Sequence, residues 1–252
     1  MKKLKFLLIL PFISLSGCNL SVFKGDYHYN SSDYAPLEEH ELSIEDGIEN
    51  INVNWINGKI NIFLNDTDEC SVKESVTSYP LYYKNNGSTL DIELAESGIS
   101  SDTINRLNKT LNIYIPMNTR KLTLSSVNTT IKGSTDISVE EIDVRAVNGS
   151  LEFGSLSCLN SYFDLVNCNT RIKEVSSYTL FKKSNKHNME FDVVNANVEL
   201  GIDEEHGYNV DFYAVNGEFK SDYKEKNYGE GLIDISFDGV DGSLIIKKIN
   251  KD

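Results

Sequence analysis

Basic residues are the scarce charge in this sequence: 24 Lys and Arg stand against 38 Asp and Glu in 252 residues. Excess acid repels polyphosphates and anionic headgroups, so nucleic acid is not an expected partner. Histidine is scarcer still. His28, His40, His187 and His206 have no metal-ligand spacing such as His-Glu-x-x-His. There is no Gly-x-Ser-x-Gly elbow and no Gly-rich phosphate loop, and Ser-Leu-Ser-Cys at 155–158 has no paired His. "NDTDE" at 65–69 has the flavour of a Ca²⁺ loop but lacks the Gly and distal Glu of an EF-hand, so it reads as a solvated turn. No catalytic, cofactor or metal residue is assigned, and no cofactor is expected. Long apolar runs are missing too. The one from Phe6 to Leu15 is too short to cross a bilayer comfortably.

That run has a different meaning. "MKKLKFLLILPFISLSGC" sets Lys2, Lys3 and Lys5 before the apolar core and small residues before a Cys, the layout of an export signal. Leu15-Ser16-Gly17-Cys18 resembles the lipobox of bacterial lipoproteins. The resemblance implies cleavage before Cys18 and diacylglycerol on its sulfur. Acyl chains contribute about 0.8 kcal/mol per buried methylene, so two or three make a firm anchor. The expected location is the cell envelope, lipid-anchored at the outer membrane or cell surface. Cleavage removes three Lys and no acid, moving the formal charge from −14 to −17. Residues 18–40, Ser-, Asn-, Tyr- and acid-rich without a sustained period, read as the lipidated Cys and a flexible tether. Residues 41–252 keep one texture of short alternating apolar runs and read as a single domain.

Within that domain one corner recurs. Val-Asn-Gly stands at 147–149 and 215–217, with relatives centred on Asn57, Asn128, Asn167, Asn195 and Asp241. Apolar residues sit mostly six and four positions before each corner, one before it, and three after it. Val53, Leu124, Val144, Phe163, Phe191, Phe212 and Phe237 fill the fourth position before, and Ile56 or Val always precedes the corner. Two period-two strands thus meet at a one-residue shift, each with one buried face; the residue just before the corner is assigned to the core. The last six corners lie 20, 19, 28, 21 and 25 residues apart. Repetition at that period marks a solenoid whose units bury their apolar faces only by stacking.

The expected fold is all-β, a parallel β-helix or β-solenoid of about 20–25 residues per coil. Asn and Gly tolerate the left-handed backbone a tight corner needs. Stacked Asn57, Asn128, Asn148, Asn167, Asn195, Asn216 and Asp241 would form a ladder one strand spacing apart. The alternative is an antiparallel β-hairpin sandwich, since Asn-Gly is also a hairpin signal. Residues 65–110 fit the repeat poorly. "LYYKNNGSTLDIEL" suits a hairpin at Asn86-Gly87, "SGISSDTINRLNKT" a short helical turn, and the gap between the Asn57 and Asn128 corners has room for about three coils.

"KTLNIYIPMNTRKLTLSSVNTTIKG", followed by Val-Asn-Gly-x-apolar-x-apolar units, resembles the bacterial "putative adhesin" family of β-strand repeats, and "ENINVNWINGKINIFL" resembles its opening unit. The likeness runs from about Glu41 to Ile249. It implies a right-handed β-helix-like fold in exported proteins with no established catalytic residues. Cys168 in place of the usual Gly, and the insert "SSYTLFKKSNKHN", depart from the pattern.

The exposed columns hold the remaining candidates. Three residues before the corners lie Asn54, Ser125, Arg145, Asp164, Asp192, Tyr213 and Asp238, which places Asp164 beside Asp192 about 5 Å away. Exposed Tyr such as Tyr213 and Tyr223 would suit a sugar-stacking strip. Cys70, Cys158 and Cys168 fall on separated parts of the coil and are expected to form no disulfide. These features favour a non-catalytic envelope lipoprotein whose rigid β-solenoid presents a face to protein or glycan, with the membrane engaged through Cys18. One alternative is a β-helix enzyme on envelope or extracellular polysaccharide. Another is a structural or regulatory envelope scaffold.

Overall fold

The computed structural model describes residues 26–45, 47–75, 78–180 and 183–249. Cys18 and the leader lie outside this range. The described chain is all-β apart from one helical turn. Its elements are β1 (Ala35–Pro36), β2 (Glu41–Ile44), β3 (Asn50–Leu64), β4 (Cys70–Glu74), β5 (Tyr82–Asn85), β6 (Thr89–Glu93), α1 (Ser101–Ile104) and β7 (Lys109–Ile115). There follow β8 (Lys121–Leu180), β9 (Lys183–Asn185), β10 (His187–Ile202), β11 (Tyr208–Ala214), β12 (Glu218–Ser221), β13 (Asn227–Tyr228) and β14 (Ile233–Lys248).

The centre of the sheet is parallel and in register with the repeat. Ile51 and Ile60 of β3 face Leu122 and Ile131 of β8; Phe163 and Thr170 of β8 face Phe191 and Val198 of β10, which face Phe237 and Leu244 of β14. Each of these passes runs through a corner, so two arms share one buried side. Residues six, four and three positions from the corners are buried at Ile51, Val53, Ile60, Ile142, Val144, Leu151, Met189, Phe191 and Val198. Phe163 stacks on Phe191 at 4.8 Å, Phe191 lies 6.2 Å from Phe237, and Phe237 stacks on Phe212 at 5.0 Å.

Several expectations need correction. The sheet is mixed, not wholly parallel: β1–β5, β2–β4, β4–β7, β5–β6, β8–β9 and β11–β13 pair antiparallel. Residues 65–110 supply not three coils but one split rung. β6 and β7 run parallel to the two arms of β3, and β5, β4, β2 and β1 extend the sheet outward in antiparallel pairs. Within this region the hairpin at Asn86-Gly87 is present, with Gly87 at φ 73°. So is the helical turn, α1, capped by Ser100.

Rung order also departs from chain order. β14 lies between β10 and β11–β12, so the last segment fills the slot beside β10 and the one before it is outermost. At the other end β3 sits inside β6 and β7 although it precedes them. Nor, Ile56 apart, is the residue before the corner core. Ile56 is buried, Val127, Val147, Val166, Val194 and Val240 are half-buried, and Val215 is exposed. The buried alternation instead passes from two before the corner, as at Trp55 and Leu165, to one after it, as at Thr129 and Cys168. Finally, part of the expected tether is packed. Tyr27 and Leu37 are buried, Tyr27 bridges Ile99, and β1 pairs with β5.

Candidate binding face

The corners set the geometry of everything outside the core. Asn57, Asn128, Asn148, Asn167, Asn195 and Asp241 all have φ between 51° and 60°. Asn216, on the outermost rung, is not among the positive-φ residues. Amide bonds run up the column: Asn148 Nδ2 donates to Asn128 Oδ1 at 3.3 Å, Asn167 to Asn148 at 2.9 Å and Asn195 to Asn167 at 2.8 Å. Asn57 instead donates to the Ile104 carbonyl at 3.1 Å. The residue after the corner is small because the backbone is close: a Cβ on Gly149 would meet the Thr129 carbonyl at 2.4 Å. Where that residue is Cys168, its thiol donates to the Val166 carbonyl at 3.3 Å, as the Thr129 hydroxyl does to Val127 at 2.9 Å. Departure from Gly thus leaves the corner intact.

Polar rungs that the repeat pattern did not reveal flank this column. Asn188 donates to Asn160 and Asn197 to Asn169, each at 3.1 Å, and Ser243 donates to Asn197 at 2.6 Å. Their signal was only that Asn recurs at the same offset from the corner.

Ion pairs cross strands on both arms, but not on every rung. On the arm after the corners cations answer the acids across strands: Lys173–Glu152 at 3.1 Å, Lys132–Glu152 at 3.5 Å and Arg171–Glu199 at 2.9 Å. Lys173 first, and then Lys132, hold the Glu152 carboxyl below its ordinary value. On the arm before the corners Lys121–Glu141 at 2.6 Å, Arg120–Glu140 at 3.0 Å and Lys186–Asp234 at 2.9 Å likewise pair across strands, while four adjacent rungs set Asp164, Asp192, Asp238 and Tyr213 in one row and Tyr162, Glu190, Ser236 and Asp211 in the next. Neither row contains a cation. Burial raises the Asp192 carboxyl, and Glu190, Asp164 and Asp238 add to that; burial likewise raises Asp164, against the opposing pull of Arg145. The Asp pair expected at these positions is thus a column of three. Among the described residues no group of three His, Cys, Asp or Glu is arranged to hold a metal.

Beside these rows the sheet forms a shallow, open depression of about 520 Å³, lined by Tyr162, Asn188, Glu190, Asn209, Asp211 and Asn227, among others. Tyr162 and Tyr213 are exposed at either end of the four rungs. Tyr223 is not part of this strip: it packs against Tyr228 and Tyr208 and donates to the Ile202 carbonyl at 2.7 Å.

The remaining candidates are dispersed. Cys70, Cys158 and Cys168 are buried free thiols; burial pushes Cys70 up to about 12 and also raises Cys158 and Cys168. His187 is buried, with Nε2 2.9 Å from the Ser161 hydroxyl and Nδ1 3.1 Å from the Ser176 carbonyl; burial lowers it to about 4. His206 pairs with Asp203 at 2.6 Å, and His40 lies 3.6 Å from Glu74. The 65–69 turn is closed by its own bonds, Asn65 Nδ2 to the Glu69 carbonyl at 3.0 Å and Glu69 N–H to Thr67 Oγ1 at 3.3 Å.

No family model matches the chain, and no curated protein does. Solved structures share a distant likeness. A "putative cell adhesion protein" from Clostridium sporogenes is 14% identical with a TM-score of 0.45, over 83% of this chain and 99% of that one. A "putative adhesin" from Parabacteroides distasonis is 10% identical with a TM-score of 0.41, over 88% and 100%. A "putative lipid binding protein" from the same species is 15% identical with a TM-score of 0.29, over 87% and 98%. All three are remote. No helix among the described residues is long and apolar enough to cross a membrane, which leaves β-barrel insertion unaddressed.

Proposed function

We propose that this protein is a non-catalytic envelope lipoprotein whose stacked β-rungs form a right-handed solenoid and present the arm before the corners to a protein or glycan. The observation that carries this reading is the acidic row on the last four rungs of that arm. Both arms pair charges across strands, but the last four rungs of the arm before the corners set Asp164, Asp192 and Asp238 in one row with no cation in it, beside an open depression lined by acids, amides and the exposed Tyr162. Amides and carboxylates offer paired donors and acceptors, and Tyr adds flat apolar area with a polar tip. A polysaccharide-cleaving site would be supported by Lys or Arg facing the acids, and Lys186, 2.9 Å from the lining Asp234, is the cation that favours that second reading. Lipid on Cys18 would hold the face at the membrane surface. The test has two arms. Cys18→Ser should move the protein out of the membrane fraction or leave it uncleaved, and unchanged detergent partitioning would remove the anchor. The detergent-solubilised full chain, immobilised, should retain envelope protein or glycan, and Tyr162→Ala should reduce the amount retained. Equal retention by the variant would remove the face from the account.

A further inference from the structure

Far from that face, near the outward end of β4 and β7, two opposite charges are shut away from water. The Lys109 and Glu74 side chains are both fully buried, with Nζ 2.5 Å from Oε2. Two carbonyls take hydrogens from the same nitrogen, Leu94 at 2.7 Å and Tyr79 at 2.8 Å. Among the described residues Glu74 Oε2 has no hydrogen-bond partner, so it meets the nitrogen as a close ion pair and not as a hydrogen-bond acceptor. The Trp55 ring closes one side, its centre 5.4 Å from Nζ. The other carboxyl oxygen, Oε1, accepts the Leu81 N–H at 2.9 Å and lies 3.6 Å from His40 Nδ1. That ring nitrogen is itself buried without a hydrogen-bond partner, on a residue held at φ 59°.

We propose that Lys109 and Glu74 condense into an intramolecular amide. Proton transfer within the pair converts ammonium and carboxylate to amine and carboxylic acid. With two N–H groups held by the carbonyls, the nitrogen lone pair attacks Cδ, and charge on Oε1 meets the Leu81 N–H, a donor fixed where the oxyanion develops. The Cδ–Oε2 bond breaks, Oε2 leaves as water with two of the three original Nζ protons, and the Cδ–Oε1 double bond re-forms. One N–H remains on the amide, charge balances, and no co-reactant is needed.

Two general effects favour the step. Burying an ion pair carries a desolvation cost that its mutual attraction repays only in part, and condensation removes both charges. Burial already pushes the Lys109 ammonium below its ordinary value, toward the amine that attacks. Fixed contact also replaces an encounter in solution, and effective molarities in such pairs reach about 10⁵–10⁸ M. The product would tie β4 covalently to β7 in a chain whose described cysteines are all unpaired.

Mass spectrometry of the denatured, reduced full chain decides the matter. The wild type should weigh one water less than its processed sequence, and a protease digest should yield a branched peptide joining the Glu74 and Lys109 segments. Lys109→Arg should keep that water and give only linear peptides. Full mass in the wild type with linear Glu74 and Lys109 peptides would overturn the proposal. So would water loss that persists in Lys109→Arg without a branched peptide, because Asp238-Gly239 and Asp241-Gly242 can also lose water. Because the wild-type digest decides alone, misfolding of the variant leaves the test intact.

Discussion

Thr170 occupies a core position where other rungs place Ile131, Leu151 and Val198, and its buried hydroxyl has no hydrogen-bond partner. An unsatisfied buried polar group costs about 1–3 kcal/mol. Thr170→Val keeps the shape and should stabilise the fold by about 1 kcal/mol, read as a raised denaturation midpoint at unchanged slope. Phe191 is its opposite, fully buried between Phe163 and Phe237. Phe191→Ala should cost about 3–5 kcal/mol, through lost transfer energy and the cavity it leaves. His187 makes a pH prediction. Its folded value of about 4 lies below the ordinary 6.5, so between those values the unfolded chain binds the extra proton. Its contribution to stability is complete above about pH 6.5 and is lost as pH falls toward 4. Each pKa unit corresponds to about 1.4 kcal/mol, which makes the loss a few kcal/mol. His187→Asn should flatten the stability profile across that window; an unchanged slope would show that His187 is not the linked group.

At the scale of the element, the corner residue and its neighbours were readable in the sequence because backbone stereochemistry acts locally. A left-handed φ narrows the choice to Asn, Asp and Gly, and a close backbone narrows the next residue to small side chains. Asn148→Ala should therefore lose about 1–2 kcal/mol, from a φ of 54° that Ala tolerates poorly and from ladder bonds on both sides. Asn216→Ala, without positive φ, should be nearly neutral; equal losses at the two sites would contradict the corner account. The order of the rungs was not readable. Segments 210–221 and 235–246 both carry the repeat, so their side chains suit either slot and pattern alone does not rank them. The antiparallel additions were hidden for a related reason. β4 and β5 are short alternating runs, and alternation reports which face is buried, not which direction the neighbouring strand runs. Val127, Val147, Val166, Val194 and Val240 are half-buried where the pattern placed core, because an apolar residue at a bend covers the edge of the core without entering it.

For the whole molecule, the binding face was legible only in outline. The repeat placed Asp164 beside Asp192 and left Tyr213 outside, but the third acid, Asp238, joins them only because β14 lies next to β10. Chain order would have put Tyr213 there instead. Which charges are paired likewise depends on which residues end up across from each other, as Lys173 and Glu152 do. Cross-strand pairs of this exposed kind contribute little stability, about 0–1 kcal/mol each, so their loss should leave the fold standing. That makes a clean comparison available. The most direct measurement is retention of envelope components by two full-length double variants of matched stability. One is Tyr162→Ala with Glu190→Lys on the arm before the corners; the other is Arg171→Ala with Glu199→Ala on the arm after them. The account predicts that the first loses most of the retained material and the second keeps it. Equal retention by both, or loss confined to the second, would contradict it.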